Sequence, residues 1–183
     1  MDDAKLKNWF ALFVMTGKED RAVNEIAKLW HDGECNPFNP KRDQYFKHSN
    51  GGHWQRVRLF PGYIFVESTL AESDFAVMSY PLIRRSECIL NLLCYNRGDY
   101  SYAMVDAERA PLVTLFNESF CIEKSTGLIV GDRVVVTGGV LASFGGIILN
   151  TDAHKKSAVI ELMFMGNPRR VTLPFDIVRK LQD

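Results

Sequence analysis

Four cysteines and four histidines in 183 residues are enough to build a zinc or redox site, but their spacing does not build one. Cys35, Cys88, Cys94 and Cys121 contain no Cys-x-x-Cys pair. His31, His48, His53 and His154 are scattered in polar surroundings, with no His-Glu-x-x-His spacing. The cysteines read instead as small hydrophobes with free thiols. Catalysis would need a nucleophile, a base and an orienting group in one pocket, and nucleotide chemistry a glycine loop to cradle phosphate. Neither pattern is legible. The sequence predicts no catalytic residue, no metal ligand and no cofactor, and hence a protein that acts by binding.

The residues that could bind are basic and clustered. Lys+Arg and Asp+Glu both number 22, so the whole molecule offers no net attraction to a polyanion. Local patches must do that work. His154-Lys155-Lys156 form one cluster and Arg169-Arg170 another, with Lys124, Arg179 and Lys180 able to extend them. Residues 127–183 carry only two more cations than anions, so useful affinity must come from clustered phosphate contacts rather than diffuse charge. A second basic stretch, Lys41, Arg42, Lys47, Arg56 and Arg58, is opposed only by Asp43. It is a candidate contact to DNA or to a protein partner. The plainer alternatives are a solvated hairpin and charged turns that keep a small barrel soluble.

These residues need elements to hold them. Asn8 to Val14 is aromatic and apolar enough for a sheet interior. Thr16 and Glu19 have the spacing of a capping box. A helix from about Lys18 to Trp30 follows, with Ala22, Val23, Ile26, Ala27 and Trp30 on one face and Asp32-Gly33 as its stop. Two short extended stretches flank the turn residues Ser49-Asn50-Gly51-Gly52. Tyr63 to Val66 reads as a buried strand after Pro61-Gly62. A second helix is predicted over Leu70 to Ser79, ending before Tyr80-Pro81. Arg84 to Tyr95 reads as strand or turn. A third helix runs from Asp106 to Asn117 with Leu112, Leu115 and Phe116 on one face. This alternation predicts an α+β layer.

After a polar connection the pattern changes to short strands, at Arg133–Thr137, Gly146–Asn150, Ala158–Met163 and Arg170–Leu173, punctuated by glycine-rich turns. That regularity predicts a small β-barrel. The expected organisation is a domain over 1–117, a linker over 118–126 and a second domain over 127–183. The longest early apolar run, Trp9 to Met15, is far short of the roughly 20 residues needed to span a bilayer, and no secretory cleavage pattern follows it. A cytoplasmic protein that does not enter a membrane is expected.

Two stretches together resemble one family. Trp9-Phe10 and Gly17, then Leu59-Phe60-Pro61-Gly62-Tyr63-Ile64-Phe65-Val66, resemble the N-terminal (NGN) domain of NusG proteins. Val130-Gly131-Asp132-Arg133-Val134-Val135-Val136, with Gly138-Gly139, Phe144 and Gly146, resembles a KOW motif. The resemblance implies an NGN-type antiparallel sheet flanked by helices, followed by an SH3-like KOW barrel. It also implies a monomeric elongation factor whose NGN domain docks on the clamp helices of the largest RNA polymerase subunit. Phe60 and Tyr63 match the family's contact positions, with Trp9 and Phe10 flanking them or serving as ordinary core.

The chain departs from general NusG proteins at Gly139-Val140-Leu141, where Gly-Pro-Phe is common. It also departs at Phe164 to Arg170, where Phe-Gly-Arg is replaced by a longer turn. Those positions serve Rho and ribosomal protein S ten in the general family. Glu108 to Val113 and His154 to Leu181 look more like the specialised LoaP-type paralogs. That subgroup implies antitermination targeted by an RNA hairpin bound to the KOW barrel; non-template DNA is a separate candidate partner. The alternatives are a housekeeping NusG that couples polymerase to Rho or the ribosome, and a ribosome-associated KOW module.

Overall fold

The computed structural model describes residues 8–30, 33–95, 100–130 and 133–181, without the side chains of 130, 133, 145–147 and 179–181. The chain divides into two compact units, one of residues 1–40 and 60–109, the other of residues 41–59 and 110–183. The hairpin that interrupts the N-terminal sequence thus groups with the C-terminal part.

The first unit is built on a four-stranded antiparallel sheet ordered β2-β5-β1-β6. Its strands are β1 Asn8–Val14, β2 Cys35–Phe38, β5 Tyr63–Ser68 and β6 Ile89–Leu92. Alternation along β1 sorts the side chains onto two faces. Phe10, Leu12 and Val14 join Ile64 and Val66 under the helices. Trp9 faces the other way and packs edge-on against Phe38, with ring centroids 5.1 Å apart.

Helix α1 (Glu19–Leu29) buries Ala22 and Ile26 on that first face. Helix α2 spans Glu72–Arg85 and buries Phe75, Ser79 and Leu82 at helical spacing. The Phe75 ring stacks on Phe10 at 3.8 Å. The sequence predicted that α2 would stop before Tyr80-Pro81, yet it continues one and a half turns further. An interior proline costs about 3 kcal/mol. Burial of Leu82 and the closing bond from Ser86 N to Leu82 O (2.9 Å) offset that cost here.

The second unit contains the hairpin β3 (Lys41–His48) and β4 (Gly51–Arg58), joined through Ser49 and Asn50 and extended by the two-residue strand β7 (Cys121–Ile122). Helix α3 (Asp106–Leu115) leads into it. The helix ends two residues earlier than predicted, because the Asn117 side chain accepts bonds from Ser119 N (2.9 Å) and Cys121 N (3.0 Å) and turns the chain into β7.

The remainder is a curled five-stranded sheet ordered β10-β11-β12-β8-β9. Its strands are β8 Ser125–Val130, β9 Arg133–Gly138, β10 Ile148–Asp152, β11 Ser157–Phe164 and β12 Asn167–Leu181. The fifteen-residue β12 pairs with β11 along its first half and, in parallel, with β8 along its second. That dual pairing curls the sheet around Ile160, Leu162, Leu173 and Phe175. The architecture is the predicted one, an α+β sheet-and-helix layer followed by a small all-β barrel.

Two local details add to the sequence reading. Residues 118–126, read from the sequence as a linker, hold β7 and the start of β8. Gly127 concealed β8 in the sequence, because glycine weakens a strand pattern. Here its bare Cα accommodates the Phe175 ring, which any Cβ would strike. The expected strand Gly146–Asn150 begins at Ile148 and is preceded by a 3-10 segment, Val140–Ile147.

Candidate functional site

Glu19 organises the exposed rim of the N-terminal sheet. It is buried, and its carboxylate accepts from Gly17 N (2.8 Å) and Gly62 N (2.9 Å). Thr16 was expected to cap α1, but Lys18 occupies the cap position and no side chain bonds there. Glu19 instead reaches back across 43 residues and ties the β1–α1 loop to the Phe60-Pro61-Gly62-Tyr63 turn. Charge-assisted bonds from backbone N–H groups suit a carboxylate at a helix N-terminus. Gly62 sits at φ +85°, where a side chain is strained, and a Cβ would come within 3.2 Å of Thr16 Oγ1. The turn closes through Tyr63 N to Phe60 O at 3.1 Å and Val14 N to Gly62 O at 2.8 Å.

This turn presents aromatics unequally. Tyr63 is half-buried, and its ring lies 5.4 Å from Phe13, its cross-strand partner. Phe13 is 38% exposed and Met15 beyond it is exposed as well. Phe60 retains only 9% exposure, with its ring 5.8 Å from Phe65. Trp9 and Phe10 are buried on opposite faces of the sheet. Of the four aromatics singled out in the sequence, only Tyr63 offers appreciable surface. Phe13, which the sequence reading passed over, offers more. Its signal was available: an aromatic on the same strand face as Trp9, at the strand end nearest the Pro-Gly turn.

In the second unit, Lys155 and Lys156 sit in the β10–β11 turn. Asp152 Oδ1 accepts from the backbone N of His154 and of Lys155, both at 2.9 Å, and these bonds hold its carboxyl below the usual aspartate range. Lys156 takes a left-handed conformation, φ +49°. Its Nζ binds Asp176 Oδ2 at 2.9 Å and lies 4.9 Å from the Tyr45 ring centroid. Tyr45 faces Trp54 across the hairpin at 5.4 Å, and Lys124 Nζ stands 5.9 Å from the Trp54 centroid. The structure therefore joins Lys124, Lys156 and the hairpin of Lys41, Arg42, Lys47, Arg56 and Arg58, which the sequence had kept apart. Arg56 Nε lies 3.9 Å from Asp43. At the hairpin tip the His48 and His53 rings stack, with Nε2 and Nδ1 3.1 Å apart.

The second basic doublet is elsewhere. Arg169 and Arg170 pair with Leu162 and Glu161, five or six residues along β11 from Lys156. At about 3.3 Å per residue that is roughly 15–20 Å. The two doublets lie apart, because the β11–β12 hairpin places them at opposite ends. Both arginines are exposed, and as strand neighbours they point to opposite faces. The side chains of Arg179 and Lys180, and all of His31, lie outside the described residues. Among the described residues no three His, Cys, Asp or Glu side chains converge on a metal position. No described helix is long and apolar enough to cross a membrane.

Residues 7–110, more than half of the chain, match the family model described as "Transcription termination factor nusG". The chain belongs to the NusG family of transcription factors. Among curated relatives, the transcription termination/antitermination protein NusG of Liberibacter asiaticus is 38% identical over 52 residues, 28% of this chain and 74% of the relative. That of Borreliella burgdorferi is 24% identical over 128 residues, 68% of each chain. A solved structure described as "Domain interaction in Thermotoga maritima NusG" is 22% identical, with a TM-score of 0.49 over 92% of this chain and 93% of that one. The matched span ends within α3. Family membership thus rests on the N-terminal sheet, its two helices and the Phe-Pro-Gly-Tyr turn, together with the β3–β4 hairpin.

Proposed function

We propose that this NusG-family chain is an elongation and antitermination factor. Its N-terminal NGN-type domain (1–117) docks on the clamp helices of RNA polymerase, and its KOW domain (127–183) targets it by binding an RNA hairpin. The observation that carries the docking half is the Phe13–Tyr63 pair on the sheet rim, held by the Glu19 carboxylate through Gly17 and Gly62. A helical hairpin presents an apolar tip, and exposed aromatics on a rigid support are the side chains that anchor such contacts. Phe60, at 9% exposure and with its ring 5.8 Å from Phe65, has less surface to offer such a contact than Tyr63 or Phe13. Gripping polymerase in its elongating state more tightly than in its paused state would suppress pausing by population shift, without chemistry.

The targeting half is supported by Lys124, Lys155 and Lys156 around the aromatic hairpin, with Arg169 and Arg170 as a separate contact. A folded RNA presents phosphates at several points, so two basic clusters some distance apart remain compatible with one ligand. Leu141, buried where the general family carries an aromatic, and the Phe164 to Arg170 turn favour a LoaP-type role over Rho or ribosome coupling. The test is a purified transcription system with a terminator downstream of a leader hairpin. Increased readthrough that depends on the hairpin supports the proposal. Accelerated Rho-dependent release would make this a housekeeping factor. Binding to ribosomal subunits without polymerase would remove the transcription role from this chain.

A further inference from the structure

Within the second unit, β3 packs beside β12, and a cleft of about 280 Å³ opens between them. Arg42, Tyr45, Lys155, Lys156, Ser157 and Thr172 line it. Its charge is unbalanced in a particular way. Lys156 is matched by Asp176, and Lys155 Nζ lies 3.8 Å from Asp152. Asp43, the carboxylate on the wall, is engaged by Arg56 on the opposite strand. Arg42 is half-buried and donates from Nη2 to a neutral acceptor, Gln44 Oε1, at 2.8 Å. Among the described residues no carboxylate pairs with it. Its burial lowers the guanidinium pKa from its usual value.

A guanidinium partly withdrawn from water with no carboxylate beside it works against stability, and an apolar residue of similar size would cost the fold less. Lys156 adds a second local departure: a lysine at φ +49°, where glycine or asparagine fits more easily. Both of these locally unfavourable residues line one cleft, and Ser157 and Thr172 line it with them. Guanidinium, ammonium and hydroxyl donors around a space of this size match a tetrahedral oxyanion.

We propose that this cleft is a phosphate-binding site, with Arg42 as the inner bidentate donor, Lys155 at the mouth, and the Ser157 and Thr172 hydroxyls completing the shell. The proposal goes beyond the RNA-targeting reading, because it requires only a phosphate group. That group can be a diester of an RNA backbone or a free phosphomonoester.

Titration of the full-length protein with inorganic phosphate, against chloride at equal ionic strength, tests it by NMR of the Arg42 Nε–Hε pair and the Ser157 and Thr172 amides. A saturable shift of the Arg42 signal specific to phosphate is expected. Arg42→Met should weaken phosphate binding at least tenfold while the thermal midpoint stays equal or rises. Should that variant fail to fold, Arg42→Lys, which keeps the charge and loses the fork, should still weaken binding several-fold. Lys155→Ala should weaken it about two- to fivefold. An RNA-hairpin arm separates the sources: loss of RNA affinity in Arg42→Met assigns a backbone phosphate, and unchanged RNA affinity with lost phosphate binding assigns a free phosphomonoester. Absence of any phosphate-specific shift at Arg42 would overturn the site. So would RNA and phosphate affinities both unchanged in a folded Arg42→Met variant; the RNA-targeting reading would survive that second result.

Discussion

Replacing Glu19 by alanine removes the acceptor for two backbone donors, Gly17 N and Gly62 N. Gly62 N is buried, and a buried donor left without a partner costs about 1–3 kcal/mol; Gly17 is exposed and can turn to water, so the total should stay close to about 1–3 kcal/mol. Glu19→Gln keeps one acceptor oxygen but turns an amide NH2 toward the second donor, so about half of that loss should remain. The damage should be local before it is global, because the lost bonds fix the Phe60-Pro61-Gly62-Tyr63 turn rather than the helical face of the sheet. Urea unfolding followed by the three tryptophans measures the stability change. Hydrogen exchange at the Gly62 amide measures the turn. The expected result is a lower midpoint, faster exchange at Gly62 than at the β1 and β5 amides, and weaker polymerase binding in a variant that remains folded. An unchanged midpoint with Gly62 still protected would refute the reasoning, showing that water or another acceptor serves these donors equally well.

Gly139 should be hard to replace, since it combines a left-handed backbone with a close backbone neighbour. It has φ +84° and ψ 178°, and a Cβ would lie 2.6 Å from the Ser125 Cα. Gly139→Ala should cost about 2–4 kcal/mol, read from the urea midpoint of the full chain. The Asp152 carboxyl titrates below its ordinary value because it accepts the Lys155 and His154 amides. Its contribution to the turn is therefore complete above the unfolded aspartate pKa and is lost as pH falls through the lower, folded value. The His154 and Lys155 amide shifts should report that transition at acidic pH, and Asp152→Asn should remove most of its pH dependence.

The legible parts of the fold were those whose signals are local. β1, α1, the basic hairpin, β5 and the short barrel strands follow from alternation, helical periodicity and turn residues. What escaped was decided by distant partners. Helix α2 runs through Pro81 because Leu82 finds a core to enter. The pair Cys121-Ile122 becomes a strand because β3 offers an edge, and β8 forms around a glycine because Phe175 needs its space. The same division holds for the site. Tyr63 was visible in its motif. Glu19 looked like half of a capping box, and only the fold shows it reaching Gly62. Sequence could not reveal that Arg42 and Lys155, more than a hundred residues apart, share a cleft, or that Lys155-Lys156 and Arg169-Arg170 do not share a face.

The most direct test of the account is the affinity of the intact protein for the isolated clamp helices of the largest RNA polymerase subunit, measured by fluorescence anisotropy. Tyr63→Ala and Phe13→Ala should each weaken binding about tenfold, equivalent to about 1.4 kcal/mol. Val77→Ala, a change at a 75% exposed apolar residue on α2, should leave it unaltered. Folded rim variants that bind as tightly as the unaltered protein would contradict the docking surface, and no binding by the unaltered protein would contradict the polymerase-directed role itself.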